Sequence, residues 1–358
     1  MKYGHRHSLM LAGLLFGLVL NASAVVGATE PKYSVVNRWA LGGEGGWDYL
    51  ALDASAKRLF ISRATRVDVV DTSNGKLVGT IDGTLGIHGV AFAPALHRGF
   101  TSNGKANTVT VFDLDTLKII REIPVTGQKP DAIFFDARHG HVYTLNGATN
   151  NATVIDARTL AVAATIALPG PPEFIAQDSD GTLFVNLETD NGQISAIDTN
   201  VLTVKATWAL PGCESPSGLA IDSAGHRLFS VCANHVMAAT DSVSGKQVAR
   251  VAIGAGPDAC AFDSALKLVF SSNGEDGTLT VVRQLDPDHY TVLQTLPTQK
   301  SARTMALDPA THAIYLAGAQ ADGRQPLAVG QHRRPMLPGS FTVLVASPRP
   351  SPLQRAYR

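Results

Sequence analysis

The apolar positions of this chain fall in short runs, each stopped by a cluster of Gly, Asn or Asp. Residues 254–282 show the pattern most clearly. There the run 259–262 ends at a turn over 263–265, and the run 267–271 ends at Asn273-Gly274-Glu275-Asp276-Gly277. An alternating, β-branched run follows at 278–282. Short apolar runs with this punctuation signal hairpins, so the unit reads as three short strands.

The unit recurs. Copies open at Asp48, Gly89, Asp131, Glu173, Ser217, Asp258 and Arg303, with Asp or Pro five residues on at Asp53, Pro94, Asp136, Asp178, Asp222, Asp263 and Asp308. The step of 41 to 45 residues is that of a four-stranded propeller blade. Second strands follow at 58–62, 98–102, 141–145, 182–186, 227–231, 268–272 and 313–317, and third strands at 67–71, 109–113, 153–156, 194–198 and 278–282. A fourth strand is typified by 118–123 and 246–251. The last copy offers 303–307, 313–317 and 341–345 but no fourth strand, whereas the unassigned run 33–39 (YSVVNRW) has that character. Pairing the two leaves no open edge. The expectation is an all-β, seven-bladed β-propeller of four-stranded blades, closed by the N-terminal strand.

The phrases VTGQKPDAIFFD (125–136) and IGAGPDACAFD (253–263), with strand pairs ending in VFDLDTL (111–117) or VIDARTL (154–160), resemble YVTN-type β-propeller repeats. The chain from about Tyr33 to Ala346 is similar to the YncE-like family of exported propellers, although the YVTN tetrapeptide itself reads YTLN at 143–146. That resemblance implies architecture more than activity, because this fold hosts many functions. Some YncE-like relatives are associated with DNA binding. Here Lys+Arg and Asp+Glu balance at 30 each, so the chain as a whole shows no basic footprint for nucleic acid.

Residues 1–28 read as a signal peptide. A basic segment (Lys2, His5, Arg6, His7) precedes the apolar run 9–20, and cleavage is expected near Ala24 or Ala28. The propeller then spans 29–346 as one domain, and the Pro- and Arg-rich tail 347–358 is expected to be disordered. The expected location is the periplasm or the cell exterior, with no stable membrane span after cleavage and a monomeric protein. Export permits disulfides. Cys213 and Cys232 flank one loop surface of the fifth blade, and a bridge between them is one reading. Cys260 reads as a core residue.

Successive strands run antiparallel, so the residues opening each first strand share a face with the loops leaving each second strand. Asp48, His88, Asp131, Glu173, Ser217, Asp258 and Arg303 should therefore ring the mouth of the central channel, with Asn103, Asn146, Asn186, Asn234 and Asn273 close by. A convergence of a few polar groups suits a ligand site. Asp at a strand start also closes Asx turns, and Asn-Gly is turn chemistry, so a structural duty stands beside the functional one. Variation in residue type singles out His88, Glu173 and Arg303, followed by Asp48, Asp131 and Asp258, with Asn146 as a further ligand-binding candidate. The opposite face carries Asp53, Asp136, Asp178, Asp222, Asp263 and Asp308, and the series Asp71, Asp113, Asp156, Asp198 and Asp241, which recur in register and read as turn residues. Two blade-specific stretches also lie on the ring face. One is Gly42-Gly43-Glu44-Gly45-Gly46-Trp47, with Trp47 and Tyr49 as a stacking surface or the glycines as a simple join. The other is the insertion 318–340, which brings Arg324, His332, Arg333 and Arg334.

No HExxH, GxSxG or phosphate-loop motif occurs. The leading functional reading is a non-enzymatic exported propeller that binds a ligand or a protein partner at the channel mouth, with no cofactor required. A second reading is a hydrolase such as a lactonase, with His88 or Glu173 as general base and Arg303 steadying the oxyanion. A metal-dependent variant would place a divalent cation, calcium or magnesium, on Asp131, Glu173 and Asp258 with His88. Nucleic-acid binding through the basic insertion and tail is the third.

Overall fold

The computed structural model describes residues 1–4, 30–323 and 335–349. The expected leader, the cations Arg324, His332, Arg333 and Arg334, and the tail from Pro350 lie outside the described residues. Seven four-stranded antiparallel sheets form the propeller, six of them from consecutive strands. In the seventh the order is Tyr33–Ala40, Thr342–Pro348, Ala313–Gly318, Thr304–Asp308. The N-terminal strand thus closes the last blade, as expected. No helix among the described residues is long and apolar enough to cross a membrane.

The apolar pattern follows from the stacking of blades. Second strands are covered on both faces by neighbouring blades, so Arg58–Arg63, Arg98–Asn103 and Leu268–Asn273 are almost continuously buried. Fourth strands lie on the rim and keep few inward anchors, such as Ile123 within the otherwise exposed Ile119–Pro124. Each of the seven hydrophobic clusters draws side chains from two adjacent blades, with one cluster at every junction. Two aromatic residues fix the closing strand. Buried Tyr33 meets the edge of Phe270 at 5.1 Å, and Trp39 packs on Tyr315. Gln294 of the sixth blade brackets Tyr33, accepting from its backbone N–H and donating to its carbonyl.

Three details differ from the sequence expectation. The final strand runs past Ala346 to Pro348, because Ser347 and Pro348 still pair with Ser34 and Tyr33. In the sixth blade the outer hairpin is longer than expected, formed by Thr278–Asp286 and His289–Pro297. It leans on the fifth blade, where Arg227 holds Asp288 and Tyr290 packs on Phe229. The turn aspartates also do more than cap turns, since the imidazoles of His139 and His312 each sit 2.7 Å from a buried aspartate, Asp136 and Asp263.

Cys213 and Cys232 form a disulfide that closes a 19-residue separation, and both sulfurs are buried. Closing a loop of that size restricts the unfolded chain and stabilises by roughly 3 kcal/mol. Thermal unfolding with and without reductant checks this. Reduction is expected to lower the midpoint, and an unchanged midpoint would mean that the bridge contributes nothing.

Candidate functional site

The first strands carry a shared irregularity at the channel mouth. Pairing with the second strand shifts register just after the opening residue in Ile87–Ala93, Pro130–Asp136, Pro172–Gln177, Pro216–Asp222 and Pro257–Asp263. Each shift contains a predicted ring residue: His88, Asp131, Glu173, Ser217 or Asp258. Bulges of this kind turn a side chain away from the ladder direction. A second device fixes the backbone there. Ser62 Oγ donates to the His88 carbonyl, Ser102 Oγ to that of Asp131, Ser272 Oγ to that of Arg303, and Thr304 Oγ1 to that of Asp48. These hydroxyls position the ring residues across blade boundaries.

The side chains then meet in three linked groups. His88 Nδ1 lies 2.6 Å from Asp48 Oδ2 and 3.4 Å from Asp131 Oδ1, which brings side chains from blades one, two and three together. Arg303 Nε lies 2.6 Å from Asp258 Oδ2, while Nη2 lies 3.7 Å from Asp48 Oδ1 and donates to the Trp47 carbonyl. Tyr49 donates through its hydroxyl to Glu173 Oε1 at 3.2 Å. Lys129 Nζ approaches Asp131 at 3.8 Å.

Burial sets the protonation of these groups. Asp131 is only 6% exposed. Desolvation pushes its carboxyl up to about 6, with His88 opposing and Asp48 reinforcing the rise. Glu173 is pushed well above the usual carboxylate range by burial and by Asp131. Burial likewise raises Glu188 and pushes the Tyr49 hydroxyl far up, so Tyr49 remains a donor. Burial alone would depress His88, but Asp48 and Asp131 overcome it and the imidazole titrates above its ordinary value.

Among the predicted site residues, Asp48, His88, Asp131, Glu173, Asp258 and Arg303 therefore all take part in these groups. Asn146 is not brought into them. It is fully buried in its own blade and donates to Asn151 and Thr153, as Asn103 does to Thr108 and Thr110 and Asn273 to Thr278 and Thr280. Asn186 donates to the carbonyls of Ser217 and Gly218, and Asn234 to that of Gly212. The girdle of amides is spent on the scaffold. Of the expected metal set, Glu173 accepts from Tyr49 and Asp258 pairs with Arg303, while Asp131 shares with Asp48 and His88 a group whose ligand atoms all lie within 4.8 Å of one another.

Trp47 is not an open stacking surface. It is buried against Phe341 at 5.4 Å and covered by the Arg303 guanidinium. The glycine-rich stretch before it is a clasp around fully buried Arg63. That side chain donates to the Gly42 and Glu44 carbonyls, pairs with Asp68 at 3.3 Å and lies 3.8 Å above the Phe341 ring.

Such an arrangement defines a class: a seven-bladed β-propeller with an ionisable, mostly acidic channel mouth. No protein-family model matches the chain, and no curated protein matches it either. Among solved structures it is similar to the hydrazine synthase of Kuenenia stuttgartiensis, with 19% identity, a TM-score of 0.50, and coverage of 67% of this chain and 96% of that one. At this identity the likeness speaks for the fold alone.

Proposed function

We propose that this protein is an exported propeller of the YncE-like kind that binds a ligand or partner through a positively charged group at the channel mouth. The observation that carries the reading is the convergence of the ring. Five carboxyl groups, those of Asp48, Asp131, Glu173, Glu188 and Asp258, interact with one another there, against the permanent cations Lys129 and Arg303. An acidic, partly desolvated mouth favours cations and disfavours phosphates, which weighs against the nucleic-acid reading. Export draws support from the basic-then-apolar leader pattern and from the Cys213–Cys232 bridge, since disulfides persist in oxidising compartments.

Binding is favoured over hydrolysis because Arg303, the candidate oxyanion partner, is already engaged by Asp258 and Asp48. The test is a thermal-shift and calorimetric screen of the full chain in EDTA, using diamines, Lys- or Arg-rich peptides, lactones and acidic metabolites. Amines or basic peptides are expected to bind, more weakly in Asp258→Asn and at higher salt. Exclusive binding of anions, or turnover of a lactone, would replace this reading.

A further inference from the structure

Two carboxylates on one imidazole nitrogen are more than a structural hydrogen bond requires. His88 Nδ1 has a single proton to give, and Asp48 Oδ2 at 2.6 Å takes it. Asp131 Oδ1 points at the same nitrogen from 3.4 Å and accepts no hydrogen bond from it. A second, independent observation concerns Asp131 itself. Its side chain is more than nine-tenths buried, yet the contacts of its carboxylate among the described residues are the ionic approaches of His88 and of Lys129 at 3.8 Å. Buried carboxylates are ordinarily satisfied by short hydrogen bonds or by a bound cation. This one is aimed into the cluster without the former.

We infer that Asp48, His88 and Asp131 form a binding site for a divalent transition-metal ion at the channel mouth. The assignment rests on the acidic-mouth reading above and makes its cation specific. Nδ1, Oδ2 and Oδ1 lie within 4.8 Å of one another and come from three consecutive blades. Ligand atoms around one ion with bonds of about 2.0–2.2 Å lie roughly 3 Å or slightly more apart, so only a small adjustment separates this cluster from coordination. The ion would take the place of the Nδ1 proton, which leaves to solvent.

The donor set selects the metal class. One imidazole nitrogen with two carboxylate oxygens suits zinc or a neighbouring first-row divalent ion, whereas calcium and magnesium prefer all-oxygen shells. Three protein donors leave further positions for water or for a ligand group. The imidazole is also held in orientation. Its ring packs against Gly104, where a Cβ would come within 2.7 Å of Nε2, and the His88 carbonyl is fixed by Ser62.

The experiment uses the full chain stripped with EDTA and then dialysed free of it. Zinc, manganese, calcium and magnesium chlorides are titrated separately by calorimetry, with thermal unfolding in parallel. One zinc per chain is expected, with binding weakened about tenfold or more in each of Asp48→Asn, His88→Gln and Asp131→Asn, and unchanged in Asp71→Asn, whose carboxylate caps the turn at Ser73 away from the cluster. Asp131→Asn removes a buried charge and is expected to remain folded, so its loss of zinc would not be a loss of structure. Absence of zinc binding, or binding that survives His88→Gln, overturns the site. If zinc fails while amines or basic peptides still bind in EDTA, the metal assignment falls and the acidic-mouth reading stands. If zinc binds and no cationic ligand does, the site stands and the broader reading narrows to metal binding.

Discussion

Asp68→Asn is expected to destabilise the protein by about 3–5 kcal/mol, the range for stripping one partner from a buried ion pair. Arg63 has no exposed surface, and burial brings its guanidinium down to about 10, which still leaves it charged at neutral pH. Asp68 is its anionic partner at 3.3 Å and is itself buried, with Arg66 Nε 2.8 Å away. Removing the carboxylate strands a cation between the Gly42 and Glu44 carbonyls and the face of Phe341. Those carbonyls belong to the link between the closing strand and the first blade, while Phe341 precedes the last strand, so the loss falls on the seam of the ring. The double replacement Arg63→Met with Asp68→Leu removes both charges and should recover much of the difference, because the penalty comes from an unmatched charge. Urea unfolding of the two variants against the parent measures this. Equal stability of parent and Asp68→Asn would show that the pair is dispensable.

The second large effect is on pH. In metal-free buffer the unfolding midpoint should fall as pH rises from about 4 to 7. The carboxyl of Asp131 moves from the ordinary 3.8 to about 6 on folding, and Glu173 and His88 are raised as well. Groups raised on folding bind more protons in the native state than in the unfolded one, so stability is greatest below their unfolded values and drains away as pH climbs through the folded ones. The turn aspartates oppose this only at the acid end. Backbone and hydroxyl donors hold Asp71, Asp113, Asp156 and Asp198 below their usual range, so their contribution is lost as pH falls through those lowered values. The stability maximum should therefore lie near pH 4–5. Asp131→Asn should flatten the neutral limb and gain roughly 1–3 kcal/mol at pH 8. A midpoint that rises from pH 5 to 8 would contradict the electrostatics of the ring.

Much of the fold was legible because it is written at short range. Alternation, turn residues and a step near 42 residues recur in every blade, and the surplus strand 33–39 had one place to go. The face of the site was legible too, since antiparallel order alone puts Asp48, His88, Asp131, Glu173, Asp258 and Arg303 together. What escaped the sequence depends on register. The second strand of the fourth blade makes Asn186 look like Asn146, yet Val185 pairs with Ile175 as Thr144 pairs with Ile133. Asn186 thus stands where the third blade has Leu145, and Glu188 where it has Gly147. A slip of one residue exchanges faces, and it concealed Glu188 from the ring. The Arg63–Asp68 pair was invisible for another reason. Arg at the end of an apolar strand normally reads as a solvated terminus, and only the arrival of 42–47 and Phe341 from the other end of the chain buries it.

The seam has a temporal meaning as well. Tyr33–Ala40 is among the first parts of the propeller to be synthesised, but its partner Thr342–Pro348 is made some 300 residues later. For most of translation the early strand has no ladder to join, and the last blade can complete its hydrogen bonds only when the two distant segments find each other. Pairings of such long sequence separation are slow. The rate at which this protein matures should therefore be governed by one late joining event, and variants at Tyr33 or Trp39 should lengthen the wait before they weaken the finished ring.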